Sequence, residues 1–153
     1  MAHVYISIGS NLDDPIAQVR RGVEALRGVG VVSAVSPLYR TKPWGGFQDQ
    51  PDFINAVVAL ETQLEPQDLL LQLKSIEMRL GRRNETRRYQ SRIIDFDILT
   101  YDDRTVNDPD LKIPHPHMNE RAFVLVPLAD LNHDYITARD ALPASERDTV
   151  IKL

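Results

Sequence analysis

The strongest constraint on the fold is the order in which strand-like and helix-like hydrophobic patterns follow one another. Residues 3–8, 31–40, 53–62 and 93–101 are apolar or alternating over lengths typical of strands, and Pro37 confines its part of the second segment to a sheet edge or a bulge. Two other segments carry apolar residues every three or four positions, as on one face of a helix. These stripes are Ile16, Val19, Val23, Leu26 and Leu69, Leu73, Ile76, Leu80. The order is therefore β-α-β-β-α-β.

Residues that begin and end helices flank both stripes. Asp13 or Asp14 can cap the first helix, with Pro15 at its first position, where the missing N–H removes no hydrogen bond. Pro66 opens the second helix and Gly81 closes it. We therefore predict helices at both stripes.

This element order predicts an α+β fold of the ferredoxin-like βαββαβ type, an antiparallel sheet with both helices on one face. A C-terminal α/β extension is expected to follow, with a short extended piece at 111–114 and a helix over 119–131 that continues despite Pro127. For the last fifteen or so residues the pattern supports no detailed prediction. We expect residues 1–153 to form a single domain.

Composition limits the class of protein. An apolar share of 42% and a charged share of 26% in 153 residues predict a globular chain, and the absence of cysteine excludes disulfides and thiolate chemistry. No apolar run approaches the roughly 18 residues of a membrane span, and the N-terminus reads as a strand, so we expect a cytoplasmic protein. A net charge of −4 argues against a general nucleic-acid or anionic-membrane partner.

The segment IIDFDIL (93–99) places two acids in one strand. Side chains at i and i+2 share a face, so Ile94, Phe96 and Ile98 are predicted to face the core, with Asp95 and Asp97 together on the opposite face. Paired carboxylates repel unless a cation separates them, and Mg²⁺ prefers such oxygens while leaving positions for phosphates. The alternative is that both acids merely lie on a solvated face.

An arginine-rich loop precedes the acidic strand. Its arginines are Arg82, Arg83, Arg87, Arg88 and Arg92. Guanidinium groups match phosphate oxygens bidentately, so arginines facing carboxylate-bound Mg²⁺ would form a polyphosphate clamp. A solvated basic turn or an RNA-binding patch is the alternative. The chain has no P-loop motif, so any ATP would be held without a glycine cradle.

Two further stretches contain aromatic residues. In the loop TKPWGGFQDQPD (41–52), Trp44 and Phe47 flank two glycines, and Phe53 and Asn55 begin the next strand. Such aromatics can cover a flat ligand, and the Asn amide can bond a heterocycle edge, although an ordinary surface loop is the alternative.

The second stretch is KIPHPHMNERAFVL, with His115, His117, Arg121 and Phe123. No further ligand lies at a recognised zinc spacing. A histidine and an arginine that contact nucleotide phosphates fit this stretch better.

Four stretches in this order resemble the 6-hydroxymethyl-7,8-dihydropterin pyrophosphokinase (HPPK) family of folate biosynthesis. They are YISIGSNL, YRTKPWGGFQDQPDFINAVVALET, RIIDFDIL and IPHPHMNERAFVLVPLADL, and the resemblance covers nearly the whole chain. It implies that a pterin hydroxymethyl oxygen attacks the β-phosphorus of the co-substrate ATP, and that AMP leaves.

The resemblance also implies site residues. It gives Asp95 and Asp97 the binding of two Mg²⁺ ions, and Arg82 and Arg92 the stabilisation of charge on the transferred group. The residues implied for ATP binding are Glu77, Arg82, Arg88, Arg92, Leu111, Lys112, His115 and Arg121. Those implied for pterin binding are Gly9, Lys42, Pro43, Trp44, Gly45, Phe53, Asn55, Asp95 and Phe123. A monomer with small-molecule substrates and no nucleic-acid or membrane partner is expected.

Two other functions remain open at this level. One is a different Mg²⁺-dependent phosphotransferase or nuclease on the same fold, which would not need the aromatic pterin residues. The other is a non-catalytic RNA-binding module that uses the arginine loop, and its binding would weaken steeply with salt.

Overall fold

The computed structural model describes residues 1–42, 51–81 and 93–153, and within these residues eight strands form two antiparallel sheets. The strands are β1 Ala2–Ser10, β2 Val31–Val35, β3 Tyr39–Thr41, β4 Phe53–Thr62, β5 Asp95–Tyr101, β6 Val106–Asp108, β7 Leu111–Ile113 and β8 Ile151–Lys152. The helices are α1 Pro15–Leu26, α2 Pro66–Arg79, α3 Ala122–Leu131, α4 Ile136–Ala141 and α5 Ala144–Arg147.

The large sheet has the order β5-β1-β4-β3-β8, and β2 also pairs with β4. Its pairs are all antiparallel, and β6 and β7 form a separate hairpin. The predicted βαββαβ order and the α+β class are therefore confirmed. The hairpin was not predicted beyond the extended piece at 111–114.

Both predicted helices begin where the sequence indicates. Asp14 is the N-cap of α1, since its side chain accepts a hydrogen bond from the Ala17 N–H, and Pro15 follows at the first position. Pro66 opens α2, and Gly81 follows that helix with a φ of 110°, in the region that favours glycine.

The main core lies between the sheet and helices α1 and α2. Ile94, Phe96 and Ile98 are all buried there, as predicted from the alternation of β5. The strand itself begins at Asp95, two residues later than the predicted start. Asp95 and Asp97 accordingly lie on the other face.

That second face is covered in part by α3, so it is not uniformly solvated. A smaller apolar cluster forms there from Val57, Leu99, Met118, Val124, Leu125 and Leu128. The predicted helix at 119–131 begins at Ala122, after a short 3₁₀ turn, and contains Pro127 as expected.

The strand-like segment predicted at 31–40 forms two strands, β2 and β3, which are separated at Ser36 and Pro37, where the sequence predicted an edge or a bulge. Proline has no N–H to give to β4. Ser36 replaces the missing pairing: its Oγ accepts from the Val57 N–H at 2.9 Å, and its own N–H donates to the Val57 carbonyl at 2.9 Å. Both short strands therefore remain on β4.

The C-terminal residues, for which no detailed prediction was made, return to the sheet. They form α4, α5 and then β8, which pairs with β3 through Tyr39 and Lys152. Among the described helices none is long and apolar enough to cross a membrane.

Helix α1 approaches the sheet closely at Gly22, and we expect a larger residue there to destabilise the fold. A Cβ at this position would lie 2.4 Å from Ile8 Cδ1 and 3.0 Å from Ile94 Cδ1. Gly22→Val should lower the free energy of unfolding by about 1–3 kcal/mol through overpacking, measured by urea denaturation. The exposed substitution Arg20→Val is the control, with an expected change below about 1 kcal/mol. Equal losses in the two variants would contradict the packing argument.

Candidate active site

One row of paired residues crosses the sheet at the ends of its central strands. Asp95 on β5 pairs with Gly9 on β1, Gly9 pairs with Asn55 on β4, and Asn55 pairs with Tyr39 on β3. Directly paired residues of antiparallel strands share a face. Strand pairing therefore puts Asp95 and Asn55 on the same face, with the small Gly9 between them.

The Asn55 end of this row is buried and closely packed. Asn55 is 7% exposed, and its Nδ2 donates a hydrogen bond to Thr41 Oγ1 at 2.6 Å. A Cβ on Gly9 would lie 2.7 Å from Asn55 Oδ1 and 3.7 Å from the ring of Phe53. Glycine is needed at position 9 because the Asn55 amide occupies the space of a side chain.

Two aromatic side chains lie on the same face of the sheet as Asn55. Phe53 is two residues before Asn55 on β4, so its half-buried ring is on the same face. Phe123, in the first turn of α3, packs against the second apolar cluster on that face. The Arg121 guanidinium lies 5.5 Å from the centre of the Phe123 ring, within the range of a cation–π contact.

The Asp95 end of the row opens into a cavity of about 330 Å³ between α2, β5 and the β6–β7 hairpin. Six of the predicted site residues line it: Glu77, Asp95, Asp97, Leu111, Lys112 and His115. Helix α2, the acidic strand and the hairpin thus bring together residues that are up to 38 positions apart in the sequence (77 to 115). A pocket with several polar groups on an apolar base is typical of a ligand site.

The buried carboxylate of Glu77 holds the edge of β5. Glu77 is 4% exposed, and its Oε2 accepts a hydrogen bond from the Phe96 N–H at 2.8 Å. Within the described residues β5 pairs on one side only, with β1, so this amide points away from the sheet. Glu77 therefore fixes the backbone between Asp95 and Asp97.

A β-bulge in β5 positions His115. Ile98 pairs with Ile6 and Thr100 pairs with Tyr5, so Leu99 is an additional residue on its strand. The Leu99 carbonyl accepts a hydrogen bond from the His115 N–H at 2.9 Å. The irregular strand thus anchors the loop that follows β7.

His115 is a neutral side chain near the acidic pair. Burial lowers the pKa of its imidazole from 6.5 to about 4, and electrostatic interactions with Arg121 and His117 act in the same direction. The Asp95 carboxylate opposes them. Nε2 of His115 is 3.9 Å from Asp97 Oδ1, but with this pKa the contact is not an ion pair at neutral pH.

The tautomer of His115 follows from its second nitrogen. The His117 N–H donates to His115 Nδ1 at 3.2 Å, so Nδ1 is unprotonated and the neutral ring carries its proton on Nε2. That N–H is on the side of the ring nearer Asp97, at the cavity wall. His115 can therefore donate a hydrogen bond to an anionic ligand there.

The donor set at the acidic pair fits Mg²⁺. Asp95 and Asp97 supply hard carboxylate oxygens on one face of β5, and in the described part of the chain no group of three His, Cys, Asp or Glu side chains could hold a metal ion. Mg²⁺ commonly takes one or two carboxylates and completes its shell with water and substrate phosphates. Two carboxylates beside an open cavity meet this requirement.

Lys112 forms part of the cavity wall on the hairpin. Its Nζ donates to Asn107 Oδ1 at 2.8 Å and to the Asp108 carbonyl at 3.0 Å. The side chain of Asp108 in turn accepts from Gln67 at the start of α2. The hairpin is therefore tied to α2 beside the cavity.

The sequence interpretation missed two residues that line the cavity, Lys74 and Asp110, and one residue outside it that contacts Asn55, Thr41. Lys74 lies three residues before Glu77 on α2, and this helical spacing could have indicated it. Asp110 lies between β6 and β7, in a hairpin that was not predicted. Thr41, at the end of β3, contacts Asn55 through a pairing that no sequence pattern signals.

Some predicted site residues lie outside the described residues. They are Pro43, Trp44, Gly45, Arg82, Arg88 and Arg92. Lys42 is described and exposed, directly after β3. Their roles stay predictions.

Comparison with solved structures defines the fold class. A crystal structure of Plasmodium falciparum HPPK-DHPS with pteroate matches 91% of this chain with a TM-score of 0.70 and 16% sequence identity. A second structure, of HPPK-DHPS in complex with substrates, matches 92% with a TM-score of 0.68 and 14% identity. This chain spans 42% and 43% of those longer chains, respectively. At this identity the likeness shows the fold, which is the ferredoxin-like α+β fold of their HPPK domains.

Sequence comparison shows the family. The profile of the 7,8-dihydro-6-hydroxymethylpterin-pyrophosphokinase (HPPK) family matches residues 5–133. A 2-amino-4-hydroxy-6-hydroxymethyldihydropteridine pyrophosphokinase of Methylorubrum extorquens is 46% identical over 93% of this chain and 92% of its own length. The Pseudomonas aeruginosa protein of the same name is 45% identical over 86% of this chain and 81% of its own. The chain belongs to the HPPK family, which confirms the resemblance drawn from its motifs.

Two substitutions of Glu77 test the contribution of its hydrogen bond with the Phe96 N–H to stability. Glu77→Ala leaves the Phe96 N–H without this acceptor and should lower the free energy of unfolding by about 1–3 kcal/mol. Glu77→Gln keeps an acceptor oxygen and should cost less. Denaturant titration of both variants measures the difference, and an equal loss in the two would contradict a specific role for the hydrogen bond.

Proposed function

We propose that this chain transfers the diphosphoryl group of ATP to the hydroxymethyl oxygen of 6-hydroxymethyl-7,8-dihydropterin and releases AMP, with the site residues and Mg²⁺ arranged as follows. Its family and the names of its relatives support the reaction. The observation that carries the site assignment is the position of Asp95, which lines the cavity and also begins the row that leads to Asn55.

The spacing of the row suits two ligands that meet near Asp95. Asp95 and Asn55 are two strand spacings apart, about 10 Å between backbones. A flat bicyclic ring that contacts Asn55 can therefore extend over Gly9 toward Asp95. Its hydroxymethyl group would then face a polyphosphate held in the cavity, which is the approach that the transfer needs.

At the pterin end, we assign recognition to Asn55, Phe53 and Phe123. The Asn55 amide offers a donor and an acceptor to the edge of the heterocycle. The two aromatic rings, one on the sheet and one on α3, would contact the faces of the ring system. The backbone around Gly9 and residues 42–45 would complete this subsite.

At the nucleotide end, Asp95 and Asp97 would hold two Mg²⁺ ions, which when bound neutralise polyphosphate charge and lower the pKa of the attacking hydroxyl. The Nε2–H of His115 donates to a phosphate oxygen as a neutral group, and Lys112 adds positive charge from the hairpin. Arg88 and Arg121 are assigned to ATP, and Arg82 and Arg92 to the charge of the transferred group, as the family resemblance implies.

The transfer itself is a displacement at the β-phosphorus. The bond from the hydroxymethyl oxygen to the β-phosphorus forms, and the bond from the β-phosphorus to the oxygen that bridges it to the α-phosphorus breaks. AMP leaves with that oxygen, and the hydroxyl proton is released to solvent. Catalysis then rests on positioning and charge neutralisation, so we assign no general base.

We further propose that residues 1–153 act as one domain, as a monomer and in the cytoplasm. The family profile covers 129 residues (5–133) without a break. The described α4, α5 and β8 then pack on the same α3 and β3 that carry site residues.

The test is incubation of the purified protein with ATP, Mg²⁺ and 6-hydroxymethyl-7,8-dihydropterin, followed by nucleotide analysis. AMP and the pterin diphosphate are expected, and both should disappear when EDTA removes the divalent ion. ADP as the product would overturn the proposed transfer, because it would place the attack on the γ-phosphorus. Salt-sensitive RNA binding without turnover would support the RNA-binding alternative instead.

We expect Asp95→Ala and Asp97→Ala each to reduce AMP production by about 100-fold or more, because charge stabilisation at the phosphates is lost. Neither side chain is in the main core, so both variants should fold. The control is Asp103→Ala, an exposed acid in the turn after β5, which should keep wild-type turnover. Wild-type AMP production by either site variant would remove its metal role.

A further inference from the structure

We infer that Thr41 is a positioning residue that holds the Asn55 amide and thereby sets the affinity for the pterin. The inference rests on the proposed function and assigns a role to a residue that the family motifs did not single out. Thr41 is the last residue of β3.

The contact is a buried, short hydrogen bond between strands. Thr41 pairs with Phe53, and Asn55 pairs with Tyr39, so Thr41 and Asn55 are diagonal neighbours on one face of the sheet. Their side chains are joined at 2.6 Å, and the residues are 3% and 7% exposed. At such exposure water competes poorly for the hydrogen bond, which is stronger than one on the surface.

The bond leaves a defined set of groups for a ligand. An asparagine amide has two N–H donors and one acceptor oxygen. Thr41 takes one donor, and Gly9 gives the oxygen room that a side chain at position 9 would fill. One N–H and the oxygen of Asn55 remain for a ligand, and the hydrogen bond to Thr41 fixes the orientation of the amide. They match a heterocycle with a donor next to an acceptor, as in a 2-amino-4-oxo ring.

A purely structural role for this bond makes a different prediction. If Thr41 only stabilised the pairing of β3 with β4, loss of the hydroxyl would lower the free energy of unfolding but leave the folded protein's ligand affinity unchanged. If Thr41 positions Asn55, loss of the hydroxyl lets the Asn55 amide rotate. The pterin must then order that amide when it binds, which weakens the affinity for the pterin but not for the nucleotide.

The experiment compares three variants. Thr41→Val and Thr41→Ala both lack the hydroxyl but differ in side-chain volume, whereas Thr41→Ser keeps the hydroxyl. Pterin binding is titrated with Mg²⁺ and a non-hydrolysable ATP analogue present, and the affinity for the analogue is measured separately. We expect the pterin Kd to rise about 10-fold in the Val and Ala variants and to stay within about 2-fold in the Ser variant. The analogue Kd should be unchanged in all three.

A double-mutant comparison tests whether Thr41 acts through Asn55. The kcat/KM for the pterin should fall about 10-fold on Thr41→Val in the wild-type background and less than about 2-fold in the Asn55→Ala background. An equal fall in both backgrounds would overturn the inference, as would a wild-type pterin Kd in the Val and Ala variants. No pterin binding by the wild-type protein would instead overturn the proposed function, and this inference with it.

Discussion

The alternation of side chains along β5 is the constraint on which the site depends. Ile94, Phe96 and Ile98 are buried against α1 and α2, and their burial fixes the register of the strand. A shift by one residue would exchange the two faces and move the acids into the apolar core, at a large desolvation cost. The hydrophobic effect therefore determines where Asp95 and Asp97 lie, although neither residue contributes to it.

The same strand also departs from regularity where the site needs it. The bulge at Leu99 turns Tyr101 back toward the main core, so both ends of β5 are anchored by apolar side chains. It also frees a carbonyl that holds His115 beside Asp97. Glu77 also holds the strand in place at its outer edge, where its carboxylate accepts a hydrogen bond from the backbone N–H of Phe96. Backbone groups that do not bond another strand thus position the acidic pair and its neighbour.

The fold was predictable because its elements carry strong local signals. The stripes of α1 and α2, the caps at Asp14 and Pro66, and the alternation of β5 are all properties of neighbouring residues. Each follows from helix or strand geometry without knowledge of the rest of the chain. The acidic pair and its face were predictable for the same reason.

The misses share the opposite property, since they depend on residues far apart in sequence. The attachment of both β2 and β3 to β4 depends on the hydrogen bonds of Ser36 with Val57. The β6–β7 hairpin is short and polar, and it is held to α2 by Gln67 and Asp108. The cavity and the contact of Thr41 with Asn55 exist only once separate strands have paired. Local patterns contain no information on such contacts, and only a family resemblance assigned residues such as Lys112 to the same site in advance.

The two ends of the site differ in a way that suits their proposed ligands. A flat heterocycle presents few groups and little charge, so its recognition depends on a small number of directed hydrogen bonds, and these lose value if the protein must first order itself. The Asn55 end is accordingly buried and already bonded to Thr41. A polyphosphate is long, flexible and highly charged, and its attraction to cations falls off slowly with distance. Lys112, on an exposed hairpin, can serve such a ligand through its charge. The buried hydrogen bond of Asn55 therefore lies where direction decides binding, and the exposed Lys112 lies where net charge decides it.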